Sequence, residues 1–190
     1  MNVIFIDFDG TLAGLNSDSF EDIERRVKLL SEICHEYNAK IVIHASSKNT
    51  INEETMEISP KATYTLFLFY LFNKYNVDVY GRTPNVKKYY SSDRSSYTSI
   101  WKEDEIRLYL MRHPEIEHFC VIDDDDLLDL TKGRESDLNK VRDHLVKVES
   151  YVPSDPSQEG LLPKHKEEVG KVLKKDNKIL HLMLKYKKFY

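Results

Sequence analysis

The chain has 190 residues, of which 41% are hydrophobic and 32% are charged, and its formal net charge is −4. This composition excludes disordered and collagen-like proteins, and the length suits one folded domain spanning residues 1–190. The longest apolar stretch, residues 62–72, is shorter than the roughly 20 residues of a membrane-spanning helix, and the N-terminus lacks the features of a secretory signal, so we expect a cytosolic protein.

Short apolar runs alternate with amphipathic segments in the first half of the chain. Residues 3–6 form a continuous apolar run, which is typical of a strand buried on both faces of a parallel sheet. Residues 18–37 repeat apolar side chains at helical spacing and predict a helix capped by Ser19 or Asp18. Residues 39–45 predict a second strand, and residues 60–75 predict a second helix that opens at a proline. Two cysteines, Cys34 and Cys120, lie within apolar patterns, which favours buried thiols over a disulfide or redox pair.

The same alternation continues in the second half. Residues 77–80 predict a third strand, 102–112 a helix, and 119–122 and 144–149 two further strands, while the polar residues 83–98 predict a loop or a small insert. Strands that alternate with helices predict an open, mostly parallel α/β sheet. Ligands of such sheets bind beyond the carboxyl ends of the strands, so motifs that serve one site should each follow a strand.

The C-terminal segment is basic. From Lys164 onward the chain carries nine lysines and three acidic residues, so the rest of the chain is acidic. A basic helix can face a nucleic acid or another polyanion. Val169, Val172 and Leu173 recur at helical spacing, however, which favours the alternative that these lysines are the solvated side of a packed helix.

The first candidate motif is DFDGT at residues 7–11, directly after the first predicted strand. Asp7 and Asp9 are two residues apart, so both carboxylates can face one pocket, and Gly10 permits a tight turn beside a ligand. Neighbouring carboxylates repel each other and therefore favour a bound cation or a shared proton. An acidic surface turn is the alternative; a calcium loop would need a glycine where this chain has Leu12.

A second acidic motif, VIDDDD, places four aspartates at residues 123–126 after another predicted strand. Taken alone, such a run also fits a solvated turn. If this strand lies beside the first, however, Asp123 and Asp124 converge with Asp7 and Asp9 at one edge of the sheet. Clustered carboxylate oxygens are hard ligands that suit Mg²⁺.

Two lysines and a serine complete the candidate set. Ser46 follows the second strand, and Lys48 comes two residues later, so a hydroxyl and an ammonium could grip a phosphate there, although isolated loop residues often have no such role. Lys102 opens a predicted helix, where the helix dipole disfavours a cation. A nearby carboxylate cluster would compensate; the alternative is an ordinary surface lysine.

Together these four motifs resemble those of the haloacid dehalogenase-like (HAD) phosphohydrolase superfamily. The stretches IVIHASSK, VDVYGRTP, KEDEIRLYLMRHPEIEHFCVIDDDD, DHLVKVE and EGLLPKH are similar, more narrowly, to the HAD domain of Swiss Army Knife RNA repair proteins, and the SxK spacing is similar to that of the phosphatase domain of phage polynucleotide kinase. The resemblance implies a three-layer Rossmann-like α/β fold with a mostly parallel central sheet and little or no cap. In those relatives the second motif usually reads Ser-Trp-Arg or Ser-Gly-Arg. Here it is Ser46-Ser47-Lys48, which lacks the bidentate guanidinium fork.

The resemblance also implies a two-step phosphoryl transfer. Asp7 would attack phosphorus and form an aspartyl-phosphate, while Asp9 would protonate the leaving oxygen and later take a proton from water. Mg²⁺ would be held by Asp7, the Asp9 backbone carbonyl and Asp123 or Asp124, and Lys102 would neutralise the nucleophile and the phosphate. The residues that would contact the substrate are Gly10, Thr11, Ser46 and Lys48.

The substrate class follows from the short connections around the site. The link after Leu12 and the segment before Lys102 are too short for a large cap domain, and an open site suits the end of a polymer. The predicted loop mixes aromatic and basic residues, which is compatible with stacking on nucleotides, although a polar loop with incidental tyrosines is the alternative. These residues are Lys87, Lys88, Tyr89, Tyr90, Arg94 and Tyr97.

We therefore expect a Mg²⁺-dependent phosphomonoesterase that acts on RNA or DNA ends or on nucleotides, as a monomer or a weak homodimer. One alternative is a catalytically weak module with the same fold that binds a phosphate or a nucleic acid. Another is a phosphotransferase, which would use the same residues but pass the phosphate to an acceptor other than water.

Overall fold

Five parallel strands form a single sheet with the order β3-β2-β1-β4-β5. The structure, a computed structural model, describes residues 1–14, 19–85, 100–125 and 141–175. The first strand of the chain lies at the centre of the sheet, as its continuous apolar run predicts. The strands are β1 (Asn2–Ile6), β2 (Ala39–Ile43), β3 (Val79–Arg82), β4 (His118–Asp123) and β5 (Leu145–Lys147).

Four α-helices lie within the described residues, together with two short 3₁₀ helices. The α-helices are α1 (Phe20–Tyr37), α2 (Thr63–Lys74), α3 (Ile100–Arg112) and α4 (Lys164–Leu173), and the 3₁₀ helices are Ser46–Thr50 and Pro156–Gln158. A capping box begins α1, because the Ser19 hydroxyl accepts the Asp22 N–H while the Asp22 carboxylate accepts from Ser19. Ser19 is therefore the cap, of the two candidates that the sequence offers.

The alternation of side chains along the strands produces two apolar layers. Ile4 and Ile6 of β1 face the layer that includes buried residues of α1, α2 and α4. Val3 and Phe5 face the opposite layer, which includes Ile106 and Leu110 of α3 and is smaller. Successive strand residues point to opposite faces, so a central strand covered on both sides must be apolar throughout. The predicted three-layer Rossmann-like architecture is confirmed.

The third strand differs from its prediction. It spans Val79–Arg82 instead of residues 77–80, since the Val77 N–H donates to Phe72 at the end of α2 and so belongs to that turn. Gly81 lies inside the strand, where it pairs with Val42 of β2, and the hydroxyl oxygen of Tyr109 lies where a side chain would stand. The glycine is thus needed for close packing inside the strand rather than for a turn.

The remaining bounds differ by a few residues, and some sequence predictions lie outside the described residues. The second helix begins at Thr63 instead of residue 60, and β2 and β5 are shorter than predicted. The aromatic and basic residues of the predicted loop (87–97), Asp126 and the basic tail beyond residue 175 are not described. Within the described parts, no helix is both long and apolar enough to cross a membrane.

Candidate active site

The register between the two central strands brings the acidic motifs together. Ile6 of β1 pairs with Ile122 of β4, and the Asp7 N–H continues the ladder by donating to the Ile122 carbonyl at 3.1 Å. Asp7 and Asp123 follow these paired residues, so they lie side by side at the carboxyl edge of the sheet. The predicted convergence is confirmed for Asp7, Asp123 and Asp124, whereas the side chain of Asp9 is not part of this cluster.

Three carboxylates form a cluster at this edge. Oxygen atoms of Asp7, Asp123 and Asp124 all lie within 4.8 Å of one another, and Asp7 and Asp123 are buried. Burial raises the pKa of Asp7, with Lys102 opposing the shift, and burial together with repulsion from Asp7 raises the pKa of Asp123 to about 7. Neighbouring buried carboxylates favour a compensating cation or a shared proton, and a set of oxygen donors fits Mg²⁺.

Lys102 supplies one cation to this cluster. Its Nζ lies 2.7 Å from Asp7 Oδ2 and 2.9 and 3.0 Å from the two carboxylate oxygens of Asp123. Burial disfavours the ammonium, but the two carboxylates outweigh burial and raise the pKa of Lys102 above its ordinary value. The lysine lies in the first turn of α3, where the helix dipole disfavours a positive charge. The two carboxylates compensate for this unfavourable position.

Gly10 allows the first loop to approach the second acidic motif. Its φ is +77°, which is a left-handed conformation, and a Cβ built there would overlap the carboxylate of Asp124 and lie 2.8 Å from Ser150 Cβ. The loop after β5 also touches this segment, because the Leu161 N–H donates to the Thr11 carbonyl at 2.9 Å. Gly10 is therefore a packing requirement of the site.

Asp9, Thr11 and Ser46 belong to the segments that follow β1 and β2, and they differ in exposure. Asp9 is exposed, and its Oδ2 accepts a hydrogen bond of 3.2 Å from the Ser46 hydroxyl. Thr11 is fully buried, and its Oγ1 has no hydrogen-bond partner among the described residues. A buried hydroxyl without a hydrogen-bond partner is unusual in a folded protein.

Lys48 differs from the expectation that its ammonium is free to grip a phosphate. The side chain is buried, and Nζ forms an ion pair with Glu105 of α3. Burial lowers the pKa of Lys48, whereas Glu105 acts in the opposite direction; the charge of Asp7 also reaches this lysine. The structure therefore occupies Lys48 with a partner from another element.

Two residues near the cluster, Glu105 and His44, are not among the candidates predicted from the sequence. Glu105 has a detectable signal, because it lies three positions after Lys102 and so shares a face of α3 with it. His44, at the end of the apolar run of β2, is fully buried with Nε2 4.0 Å from Asp123 Oδ2 and Nδ1 3.4 Å from Thr83 Oγ1. Burial, with Lys48 and Lys102 nearby, lowers the pKa of His44 well below its ordinary value, so the imidazole is neutral.

The parallel sheet, the aspartates after its two central strands and the lysine from α3 are the arrangement that a HAD-like domain is expected to have. The comparison with protein families agrees with this assignment. The model described as "HAD domain in Swiss Army Knife RNA repair proteins" matches residues 3–152, and the chain belongs to this family. The curated proteins and the solved structures compared with the chain gave no match. Family membership supports a phosphatase-type function in an RNA repair context.

Proposed function

We propose that the chain is a Mg²⁺-dependent phosphomonoesterase that works through an aspartyl-phosphate on Asp7. The observation that carries the proposal is the contact of Lys102 with Asp7 and Asp123 at the carboxyl edge of the sheet. This arrangement leaves a buried, oriented carboxylate next to a cation, at the position where ligands of parallel sheets bind.

The chemistry of the first step assigns different roles to the two carboxylates of the DFDGT loop. Asp7 is held by Lys102 on Oδ2 and by the Phe8 N–H on Oδ1 at 2.7 Å, so its orientation is fixed. Its carboxylate attacks phosphorus, the ester P–O bond breaks, and Asp9 gives its proton to the leaving oxygen. In the second step Asp9 takes a proton from water, the water oxygen attacks phosphorus, and the bond to Asp7 breaks.

The other residues of the site hold charge in place during both steps. Asp7, Asp123 and Asp124 would hold Mg²⁺, which when bound offsets the repulsion between an anionic nucleophile and an anionic phosphate. The Thr11 hydroxyl, which has no partner among the described residues, would donate to a phosphoryl oxygen. The Ser46 hydroxyl, which donates to Asp9 here, would donate to a phosphoryl oxygen by exchanging that hydrogen bond for one to the phosphate. Gly10 keeps the backbone close to the phosphate.

The substrate class that we propose is the phosphorylated end of RNA or DNA, or a nucleotide. The RNA repair context of the family supports a nucleic-acid substrate. A terminal phosphate on a polymer is also the substrate that suits a site without a large cap.

The test is release of inorganic phosphate from oligonucleotides that carry a 3′- or a 5′-phosphate, with p-nitrophenyl phosphate as a generic substrate, in Mg²⁺ and in EDTA. Asp7→Asn should lower the rate by about 100-fold or more, since it removes the nucleophile. Asp78→Asn, which changes an exposed aspartate paired with Lys40, is the matched control and should retain the wild-type rate. Undiminished activity of Asp7→Asn would refute the mechanism.

One second candidate is a binding module with little turnover. The Lys48–Glu105 pair favours low turnover, because it occupies an ammonium that would otherwise stabilise charge on the phosphate during transfer. The module predicts that wild-type protein binds a phosphorylated oligonucleotide more tightly than the unphosphorylated one, without releasing phosphate. Fluorescence anisotropy with both oligonucleotides, alongside the release assay, separates the two functions.

A further inference from the structure

The ion pair between Lys48 and Glu105 joins two segments that are distant in sequence. Lys48 lies in the 3₁₀ helix Ser46–Thr50 after β2, and Glu105 lies in α3. Each side chain is only 7% exposed, so the two charges meet inside the protein rather than at its surface. A contact of this kind restricts the relative position of the two segments that carry it.

Each of these two segments also carries a residue of the candidate active site. Ser46, two positions before Lys48, donates to Asp9. Lys102, one helical turn before Glu105, bonds to Asp7 and Asp123. The 3₁₀ helix is held at its start by the Lys48 N–H, which donates to the Ala45 carbonyl at 3.1 Å. Movement of the Lys48–Glu105 contact would therefore move Ser46 and Lys102 relative to each other.

Buried ion pairs contribute little net stability compared with a well-packed apolar pair, whereas loss of one partner leaves an uncompensated buried charge. An ion pair beside a site is thus better explained by geometry than by stability. Glu105 also balances the charge of Lys48, and both Glu105 and Asp7 raise the pKa of this lysine. The ammonium that bonds to Asp7, however, is that of Lys102. These features fit a structural connection and not a phosphate ligand.

We propose that Lys48 and Glu105 form a positioning pair that sets the location of Ser46 and Lys102 around the reacting phosphate, and that Lys48 does not itself bind the phosphate. The inference rests on the proposed phosphatase function. Lys48, the lysine of the second motif, then positions the site instead of binding the phosphate directly. Glu105, which lies outside the four motifs, gains a role as its partner.

The two roles of Lys48 predict opposite effects of removing Glu105. If Lys48 binds phosphate, Glu105 competes with the substrate, and Glu105→Gln should leave kcat unchanged and lower KM. If the pair positions the site, Glu105→Gln and Lys48→Met should both lower kcat by about 10-fold or more, with KM changed by less than about 3-fold, because a displacement of a positioning contact acts mainly on the chemical step.

A double variant separates positioning from binding. Lys48→Met/Glu105→Leu replaces the charges by an apolar contact of similar size. We therefore expect kcat to recover to within about 3-fold of the wild-type value, and the urea midpoint to return close to that of the wild type. Lys48→Arg, which keeps the charge, should also retain most of the activity. The matched control is Lys40→Met, which breaks an exposed pair with Asp78 and should change neither measurement.

The experiment measures kcat and KM on a 3′-phosphorylated oligonucleotide and the urea midpoint of every variant. The inference would be overturned if Lys48→Met raises KM, the double variant keeps that increase, and Glu105→Gln is as active as wild type. This result would leave the proposed function intact. Absence of phosphate release by the wild-type protein on all phosphoesters would overturn the proposed function and this inference with it. Low midpoints in both single variants with kcat unchanged would show that the pair serves stability alone and would also overturn the inference.

Discussion

Replacing Lys102 by methionine removes the ammonium between Asp7 and Asp123 while keeping a side chain of similar length. In the wild-type protein this ammonium contacts one oxygen of Asp7 and both oxygens of Asp123, at distances from 2.7 to 3.0 Å. Asp7 and Asp123 are buried, and Asp124 is close to both. The variant would therefore leave three neighbouring carboxylates without the lysine that bonds to two of them.

The size of the effect follows from these distances. At an effective dielectric constant of about 20, each contact between Lys102 and a carboxylate corresponds to about 6 kcal/mol of attraction before desolvation is subtracted. Loss of one partner of a buried ion pair lowers the free energy of unfolding by about 3–5 kcal/mol. For a chain of this length, 1 kcal/mol corresponds to about 2–4 °C in Tm, so we expect a decrease of roughly 6–20 °C.

Protons and Mg²⁺ should both relieve the repulsion in Lys102→Met. The pKa values of Asp7 and Asp123 are already raised above their ordinary 3.8 by burial, and removal of the lysine raises them further. The folded state then binds more protons than the unfolded state, so its stability falls as pH rises from the ordinary carboxylate pKa to the raised one, by up to about 1.4 kcal/mol per pH unit for each group. Bound Mg²⁺ at about 100 times its Kd would restore about 2.7 kcal/mol.

Thermal unfolding of wild type and Lys102→Met at about pH 6 and pH 8, in EDTA and in MgCl₂, measures these effects. The Tm difference between the proteins should be largest at the higher pH in EDTA, and Mg²⁺ should raise the Tm of the variant more than that of wild type. Lys40→Met is the control, because that exposed pair should contribute less than about 1 kcal/mol. Equal Tm values for both proteins at the higher pH in EDTA would refute the reasoning.

Three further predictions concern residues on different parts of the fold. Gly10→Ala should lower phosphatase activity by about 100-fold or more, because the added methyl group at φ +77° displaces Asp124; wild-type rates would contradict the close packing. Burial lowers the pKa of His165, whose Nδ1 accepts a backbone N–H at 3.0 Å. The unfolded state therefore binds more protons, so the urea midpoint should fall as pH drops below 6.5, and it should fall less in His165→Gln. Equal slopes in both proteins would show that this histidine does not cause the pH dependence. Burial raises the pKa of Cys34 to about 12 and also raises that of Cys120, so a thiol reagent should label neither until urea unfolds the protein, and rapid labelling of the folded protein is the contrary result.

The central part of the fold and the acidic cluster could be predicted from local pattern. β1 and β4 are covered on both faces, so nearly all their residues are apolar and the first charged residues mark their carboxyl ends. Because both runs end in aspartates, parallel pairing of the two strands is enough to bring Asp7 and Asp123 together. The sequence pattern and the geometry coincide here because burial on both faces leaves few alternatives.

The partner of Lys48 could not be predicted in the same way. A lysine two residues after Ser46 can point toward a phosphate or toward a helix, and local spacing does not distinguish the two. The outcome depends on how α3 packs against the sheet, which brings Glu105 to Lys48 across 57 positions of sequence. Gly81 shows the same limit, since its pairing with Val42 and its contact with Tyr109 place it inside a strand, and local spacing predicts neither.

The charges of the described site show why the pairing of Lys48 matters for phosphate binding. Lys102 forms ion pairs with Asp7, Asp123 and, at 3.5 Å, Asp125. Asp124 lies beside Asp7 and Asp123, so the carboxylates outnumber this ammonium. His44 contributes no charge, since burial keeps it neutral, and the charge of Lys48 is balanced by Glu105. The cluster therefore carries excess negative charge that would repel a phosphate, unless a divalent cation compensates for it. A free second-motif cation would weaken this requirement. In the proposed phosphatase, occupation of Lys48 by Glu105 would therefore make phosphate binding depend more strongly on Mg²⁺.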